Sequence, residues 1–261
     1  MQLGICGGPE IAPLAKAAGY DYIEINVSGH LKGEASDEEF APILRQIRIC
    51  GMPCLAANVF VPGHLKIAGP EVDFSRLTRY VQTVMSRAEQ IGIRAIVFGS
   101  GGARRIPDGC NRQQAYAQLL DFGHMVAPLA AQHGVKIAVE PLNRGETNVL
   151  NSVAEALQYV KDVNHPAFRL LVDAYHWAKE KEPTVDIVAA GPWLEHAHIA
   201  TYANRLAPGG EPCNFTPFTG ALKQAGYDKR LSIEASWQDM ETQATSARKE
   251  LLQNLQVLAG R

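Results

Sequence analysis

Lys136-Ile-Ala-Val-Glu140, Arg169-Leu-Leu-Val-Asp173, Leu194-Glu-His-Ala-His198 and Leu231-Ser-Ile-Glu234 follow one another along the second half of the chain. Each is a short run with β-forming, mostly apolar character that ends on a side chain able to bind a cation. As consecutive strands of a parallel sheet they place Glu140, Asp173, His198 and Glu234 at equivalent carboxyl-terminal positions. A barrel keeps its reactive groups there, because the strand ends and the loops after them form one shared mouth. A lone acid at a strand end is most often a surface or turn residue, but four successive strands ending on a possible ligand reverse that preference. Three carboxylates in one mouth repel one another and raise one another's pKa, so a cation among them is the natural compensation. Carboxylate oxygens with one imidazole suit one divalent metal, manganese foremost and magnesium, cobalt or zinc after it, better than the thiolate sets that hold structural zinc.

Working outward, strands are also expected at residues 3–6, 22–26, 54–59 and 95–98, giving eight with those at 136–140, 169–173, 194–198 and 231–234. Helical periodicity fills the spaces between them, most clearly in Phe74, Leu77, Val81, Val84, Ala88 and Ile91, which share one face. Ser36 with Glu39, and Ser152 with Glu155, have capping-box spacing. Gly51, Gly92, Gly134 and Gly226 stand where helices should stop. Eight strand–helix units without a linker predict a single (β/α)8 TIM barrel, an α/β domain spanning residues 1–261. An open doubly wound sheet is the alternative, but Cys6-Gly7-Gly8-Pro9 after the first strand is not the glycine-rich turn that cradles a dinucleotide.

The bulk properties narrow the partners. The 261 residues are 46% hydrophobic and 20% charged, with a formal net charge of -2 and no basic run, which gives a nucleic-acid backbone no reason to gather there. A small sugar or polyol is the expected partner, with no nucleic acid and no membrane, and association into a homo-oligomer is left open. No stretch approaches the roughly 20 apolar residues a bilayer span needs, and the first residues lack a signal-peptide pattern. Five scattered cysteines without a CxxC pair fit reduced thiols, so a cytoplasmic protein is expected.

The passages Val139-Glu140-Pro-Leu-Asn143-Arg144-Gly-Glu146, Val172-Asp173-Ala-Tyr-His176, His196-Ala-His198-Ile and Ser232-Ile-Glu234 resemble the xylose-isomerase-like barrels of the sugar isomerase/epimerase group over nearly the whole chain. Their order and spacing look like those of the ketose 3-epimerases. The resemblance implies one divalent metal on Glu140, Asp173, His198 and Glu234, with the two glutamates also serving as the acid–base pair. The implied reaction is proton abstraction beside a carbonyl through an enediolate, epimerising a free ketose in carbohydrate metabolism. Dehydration of an inosose and isomerisation of a hydroxypyruvate-type substrate are the alternatives on the same site. An abasic-site endonuclease and a non-catalytic partner subunit are more distant alternatives.

Glu146, His176 and Arg205 are the expected contacts to substrate hydroxyls, and His64, in the loop after the third strand, is a further candidate. The bland readings are that Glu146 pairs with Arg144 and that His176 props Asp173. Arg104 and Arg105, in the glycine-rich turn after the fourth strand, are candidates for holding a phosphate or carboxylate, though exposed loop arginines are commoner.

Overall fold

The computed structural model describes residues 1–256, and residues 257–261 lie outside the described residues. Eight strands close a parallel barrel in sequence order: β1 (Gln2–Cys6), β2 (Tyr22–Asn26), β3 (Cys54–Asn58), β4 (Ala95–Phe98), β5 (Lys136–Val139), β6 (Phe168–Asp173), β7 (Leu194–Ile199) and β8 (Arg230–Ile233), with β8 returning to pair with β1. Helices α1 (Ala12–Ala17), α2 (Asp37–Ile49), α3 (Phe74–Ile91), α4 (Gly101–Arg104), α5 (Arg112–Gln132), α6 (Val153–Val163), α7 (Ala174–Lys179), α8 (Thr184–Ala190), α9 (Thr216–Gln224) and α10 (Met240–Gln256) connect the strands or follow them. This is the TIM barrel that the strand pattern predicts.

Two of the ligand candidates sit differently from expectation. Glu140 and Glu234 lie one residue beyond β5 and β8, although their amides still donate to Phe98 and Ile199 across the gap. Pro141 has no N–H with which to extend the ladder past Glu140. β3 likewise ends at Asn58, because Val59 turns to φ 51, a conformation that a β-branched residue rarely adopts. The capping box at Ser36 is complete, whereas at Ser152 the hydroxyl caps Glu155 N and the Glu155 carboxylate reaches the amide of Asn151 instead.

Alternation along each strand divides the core. One set of side chains packs between strands and helices, and the other fills the barrel. The lower interior is apolar and small, with Tyr22, Ala56 and Ala95 in one cluster and Val97, Ala138 and Leu171 in another. Gly4 makes room for Tyr22, since a Cβ there would stand 2.3 Å from the phenol ring. Nearer the carboxyl ends the interior turns polar, through Glu24, Asn58, Glu140, Asp173, His196, His198 and Ser232, all buried.

Gly4→Ala is therefore expected to destabilise the barrel by about 1–3 kcal/mol through overpacking. Denaturant unfolding of the single variant, and of Gly4→Ala/Tyr22→Leu, measures this. Recovery in the double variant identifies the Tyr22 ring as the cause, and an unaltered midpoint in Gly4→Ala would exclude the contact.

Candidate metal centre

Glu140, Asp173, His198 and Glu234 converge as β5 to β8 direct them: each offers one ligand atom, and these atoms lie within 4.8 Å of one another. His198 Nδ1 stands 3.5 Å from Glu140 Oε1 and 3.5 Å from Glu234 Oε2. Asp173 divides its carboxylate. Oδ1 accepts from the His176 amide at 2.8 Å and so caps α7, while Oδ2 is buried without a partner. Glu140 Oε1 and His198 Nδ1 are likewise buried and unpartnered. Buried polar atoms are nearly always satisfied, so three unpartnered atoms within one cluster of possible ligands are what a cation-holding donor set would present. The donor set fits one hard or borderline divalent cation.

The surroundings hold each donor in place. Asn58 Nδ2 donates to Glu234 Oε1 at 2.9 Å, and Arg205 pairs with Glu234 Oε2. Gly99 allows Glu140 to lie against the end of β4, because a Cβ there would come within 2.3 Å of Glu140 Oε2. Burial raises the Glu140 carboxyl above its ordinary value, and the charge of Glu234 adds to the rise. Burial acts on Glu234 in the same sense, but His198 and Arg205 outweigh it and hold that carboxyl down at about 2. His198 is pushed well above its usual value: burial disfavours its charge, but the Glu24 and Glu234 carboxylates win.

A cavity of about 600 Å³ opens above the cluster, lined by Glu140, Glu234, Glu146 and Arg205 on its polar side and by Val59, Val61, Leu142 and a run of glycines on the other. Arg205 bridges Glu146 and Glu234 while lying 5.1 Å over the Tyr175 ring. His176 is buried beneath. Its Nδ1 accepts from Asn143 Nδ2 at 2.8 Å, and its Nε2 is unpartnered 4.0 Å from Glu146 Oε2. The His176 link to Asp173 runs through its backbone amide rather than its ring. Glu146 does not pair with Arg144, which is taken by Glu180.

Three sequence candidates fall elsewhere. His64 is more than half exposed and pairs with Glu34, so the structure does not bring it into the cavity lining. Arg104 is fully buried, donating from Nη1 to the Phe98 carbonyl at 3.0 Å and from Nη2 to the Glu140 carbonyl at 2.8 Å. It ties the ends of β4 and β5 together and offers nothing to a substrate. Arg105 is exposed beside a separate small cavity. Conversely, Glu24, Asn58, Gly99 and Asn143 take part without having been singled out. Asn58 is an amide at the carboxyl end of an otherwise apolar strand, and Glu24 is an acid flanked by Ile23 and Ile25 in an apolar strand. Both signals were present.

A closed parallel barrel with a carboxylate-rich cluster able to hold a cation at its carboxyl-terminal mouth and a polar cavity above it has the layout of an enzyme site. Residues 12–258 match the model of the xylose isomerase-like TIM barrel family, and the chain belongs to that family. It is 30% identical to the D-psicose 3-epimerase of Agrobacterium fabrum over 236 residues, covering 87% of this chain and 78% of that protein. It is 34% identical to the L-ribulose 3-epimerase of a Methylomonas species over 227 residues, covering 85% and 76%. Among solved structures, the D-allulose 3-epimerase of a Methylomonas species superposes with a TM-score of 0.85 over 98% of both chains; at 21% identity this bears on the fold alone. With such relatives the chain is an enzyme of the isomerase/epimerase class.

Replacing Arg104 by Met is expected to cost about 2–5 kcal/mol, since two buried carbonyls lose their donor. The measurement is chemical denaturation of the variant. A loss below about 1 kcal/mol would remove Arg104 from its role as the clamp behind Glu140.

Proposed function

We propose that this protein is a divalent-cation-dependent ketose 3-epimerase acting on a free, unphosphorylated ketose. The observation that carries this reading is the convergence of Glu140, Asp173, His198 and Glu234, three of them with an unpartnered buried atom, on the floor of a polar cavity. When bound, a divalent cation, with manganese the best match to three carboxylates and one imidazole, supplies the electrophile that polarises a carbonyl and its neighbouring hydroxyl.

Asp173 and His198 serve only to hold the cation. Glu140 and Glu234 also move protons: one takes the hydrogen from the carbon beside the carbonyl, and the other returns one to the opposite face, which inverts that carbon. Their places support this division, since they follow β5 and β8, with β6 and β7 between them. One acid and one base are what the step needs. Glu146 and Arg205 meet the substrate hydroxyls, and Val59, Val61 and Leu142 face its carbon skeleton; His176, buried and outside the cavity lining, backs Glu146 at 4.0 Å rather than meeting the substrate as the sequence suggested.

The preference for an unphosphorylated sugar rests on charge. Among the described residues that line the cavity, Arg205 is the one cation, and it is already shared by Glu146 and Glu234. A phosphate would meet carboxylates without a free counter-charge. The names of the relatives support the third carbon as the reacting one.

Incubation with free ketoses and manganese in deuterated water is expected to give the C3 epimer carrying deuterium at that carbon. Chelation should abolish turnover and manganese restore it. Glu140→Gln and Glu234→Gln should each lower kcat by roughly 10²–10⁴-fold. Full activity in either variant would sink the acid–base assignment, and an unsaturated product would replace epimerisation by dehydration. Equal turnover of a ketose phosphate would overturn the preference for the free sugar.

A further inference from the structure

Beneath the cluster, Glu24 of β2 is 1% exposed, and none of the steps above uses it. Its carboxylate is within hydrogen-bond reach of His196 Nε2 at 2.7 Å, His198 Nε2 at 2.9 Å and Ser232 Oγ at 2.6 Å. The Tyr22 hydroxyl lies 2.7 Å from the same Ser232 oxygen and supplies its hydrogen there, which leaves the Ser232 hydrogen free for Glu24. An ionised carboxylate only accepts, so both imidazoles carry hydrogen on Nε2. In the neutral form of His198, the form that can bind a cation, that leaves Nδ1 as the bare nitrogen, and Nδ1 is the atom that faces Glu140 and Glu234. His196 packs edge-on against His198, with ring centres 5.0 Å apart, and occupies the second oxygen of Glu24, so the carboxylate cannot turn away.

Packing alone gives no reason for an acid here. The interior of such a barrel is ordinarily filled by branched aliphatic side chains, and a buried carboxylate costs several kcal/mol even when well partnered. The neighbours of Glu24 in register, Cys6 and Ala56, are small and leave space for a carboxylate with its three donors.

We propose that Glu24 is a positioning residue of the cation site: it fixes His198 in the tautomer that turns Nδ1 toward Glu140, Asp173 and Glu234, and its negative charge makes that nitrogen a stronger donor. The inference rests on reading the cluster as a divalent-cation site, and it adds a residue from the opposite side of the barrel, on β2, to a centre otherwise built from β5 to β8 and the residues just after them. Carboxylate partners of this kind typically alter metal affinity by about 10–100-fold.

Glu24→Gln preserves shape but turns one acceptor into a donor, so at least one imidazole must shift its hydrogen from Nε2 to Nδ1. Calorimetric titration of the purified protein with Mn2+ is expected to show a Kd raised about 10–100-fold in this variant, with the unfolding temperature of the cation-free protein little changed. Glu24→Asp, which keeps the charge, should recover part of the affinity. An Mn2+ affinity within about twofold of the unaltered protein in folded Glu24→Gln would overturn the inference. If that variant fails to fold, ring-nitrogen NMR of the unaltered, Mg2+-loaded protein decides. Hydrogen on Nε2 of His198 supports the inference, and hydrogen on Nδ1 overturns it. Should the unaltered protein bind neither cation, the cation reading itself fails and takes this inference with it. Binding that is unaffected by Glu24→Gln removes the inference alone.

Discussion

Keeping Glu24, Glu140, Asp173 and Glu234 in one narrow and largely dry mouth is the electrostatic constraint around which the open end of this barrel is built. Carboxylates taken out of water are expensive, and close neighbours of like charge compound the cost. The chain offsets most of it piece by piece. Two imidazoles and a hydroxyl satisfy Glu24, the His176 amide in the first turn of α7 takes one oxygen of Asp173, and Asn58 with Arg205 takes Glu234. What remains uncompensated is Glu140 Oε1, Asp173 Oδ2 and His198 Nδ1. On the reading proposed for this site, a divalent cation would satisfy all three at once.

That arrangement places demands on the backbone. Glu140 lies just beyond its strand, where the ladder is ending, and would be free to swing if nothing held the chain behind it. The Arg104 guanidinium bonds both to its carbonyl and to that of Phe98, so the ends of β4 and β5 move together. Gly99 then allows the carboxylate to rest against that joint. A buried arginine costs desolvation, visible in the fall of its pKa to about 10 through burial. The cost is accepted where it holds Glu140, the proposed proton-transfer group, still.

The convergence of Glu140, Asp173, His198 and Glu234 was legible in the sequence because each closes a run whose apolar character announces a strand, and the closed barrel followed from eight such runs. Glu24 was harder to see. It sits within its strand rather than at the end, between Ile23 and Ile25, and only the period-two alternation marks it as pointing into the barrel. Arg104 misled for a related reason: glycine-rich turns with arginines commonly face solvent, and nothing local reveals that α4 folds this side chain back under the strand ends. His64 misled because proximity along a loop is not proximity in space. Glu34, far off in sequence, captures its ring outside the cavity.

The rim of the cavity bears on how the enzyme would select its substrate. Val59, Ser100 and Arg205 all line it, and all three have positive φ without being glycine. Such conformations cost about 1–3 kcal/mol each and persist only where surrounding contacts over-determine them. For Arg205 those contacts are visible. Glu211 accepts from Thr201 and Asn204, the Thr201 amide donates to the Leu206 carbonyl, and the Ser236 amide donates to the carbonyl of Arg205 itself, fastening the loop to the end of β8. A loop tied this firmly presents the guanidinium in one place before any ligand arrives. On the proposed function, selection by such a rim would work through a fixed pattern of charge and shape, and a sugar that matches it would bind without first ordering the loop.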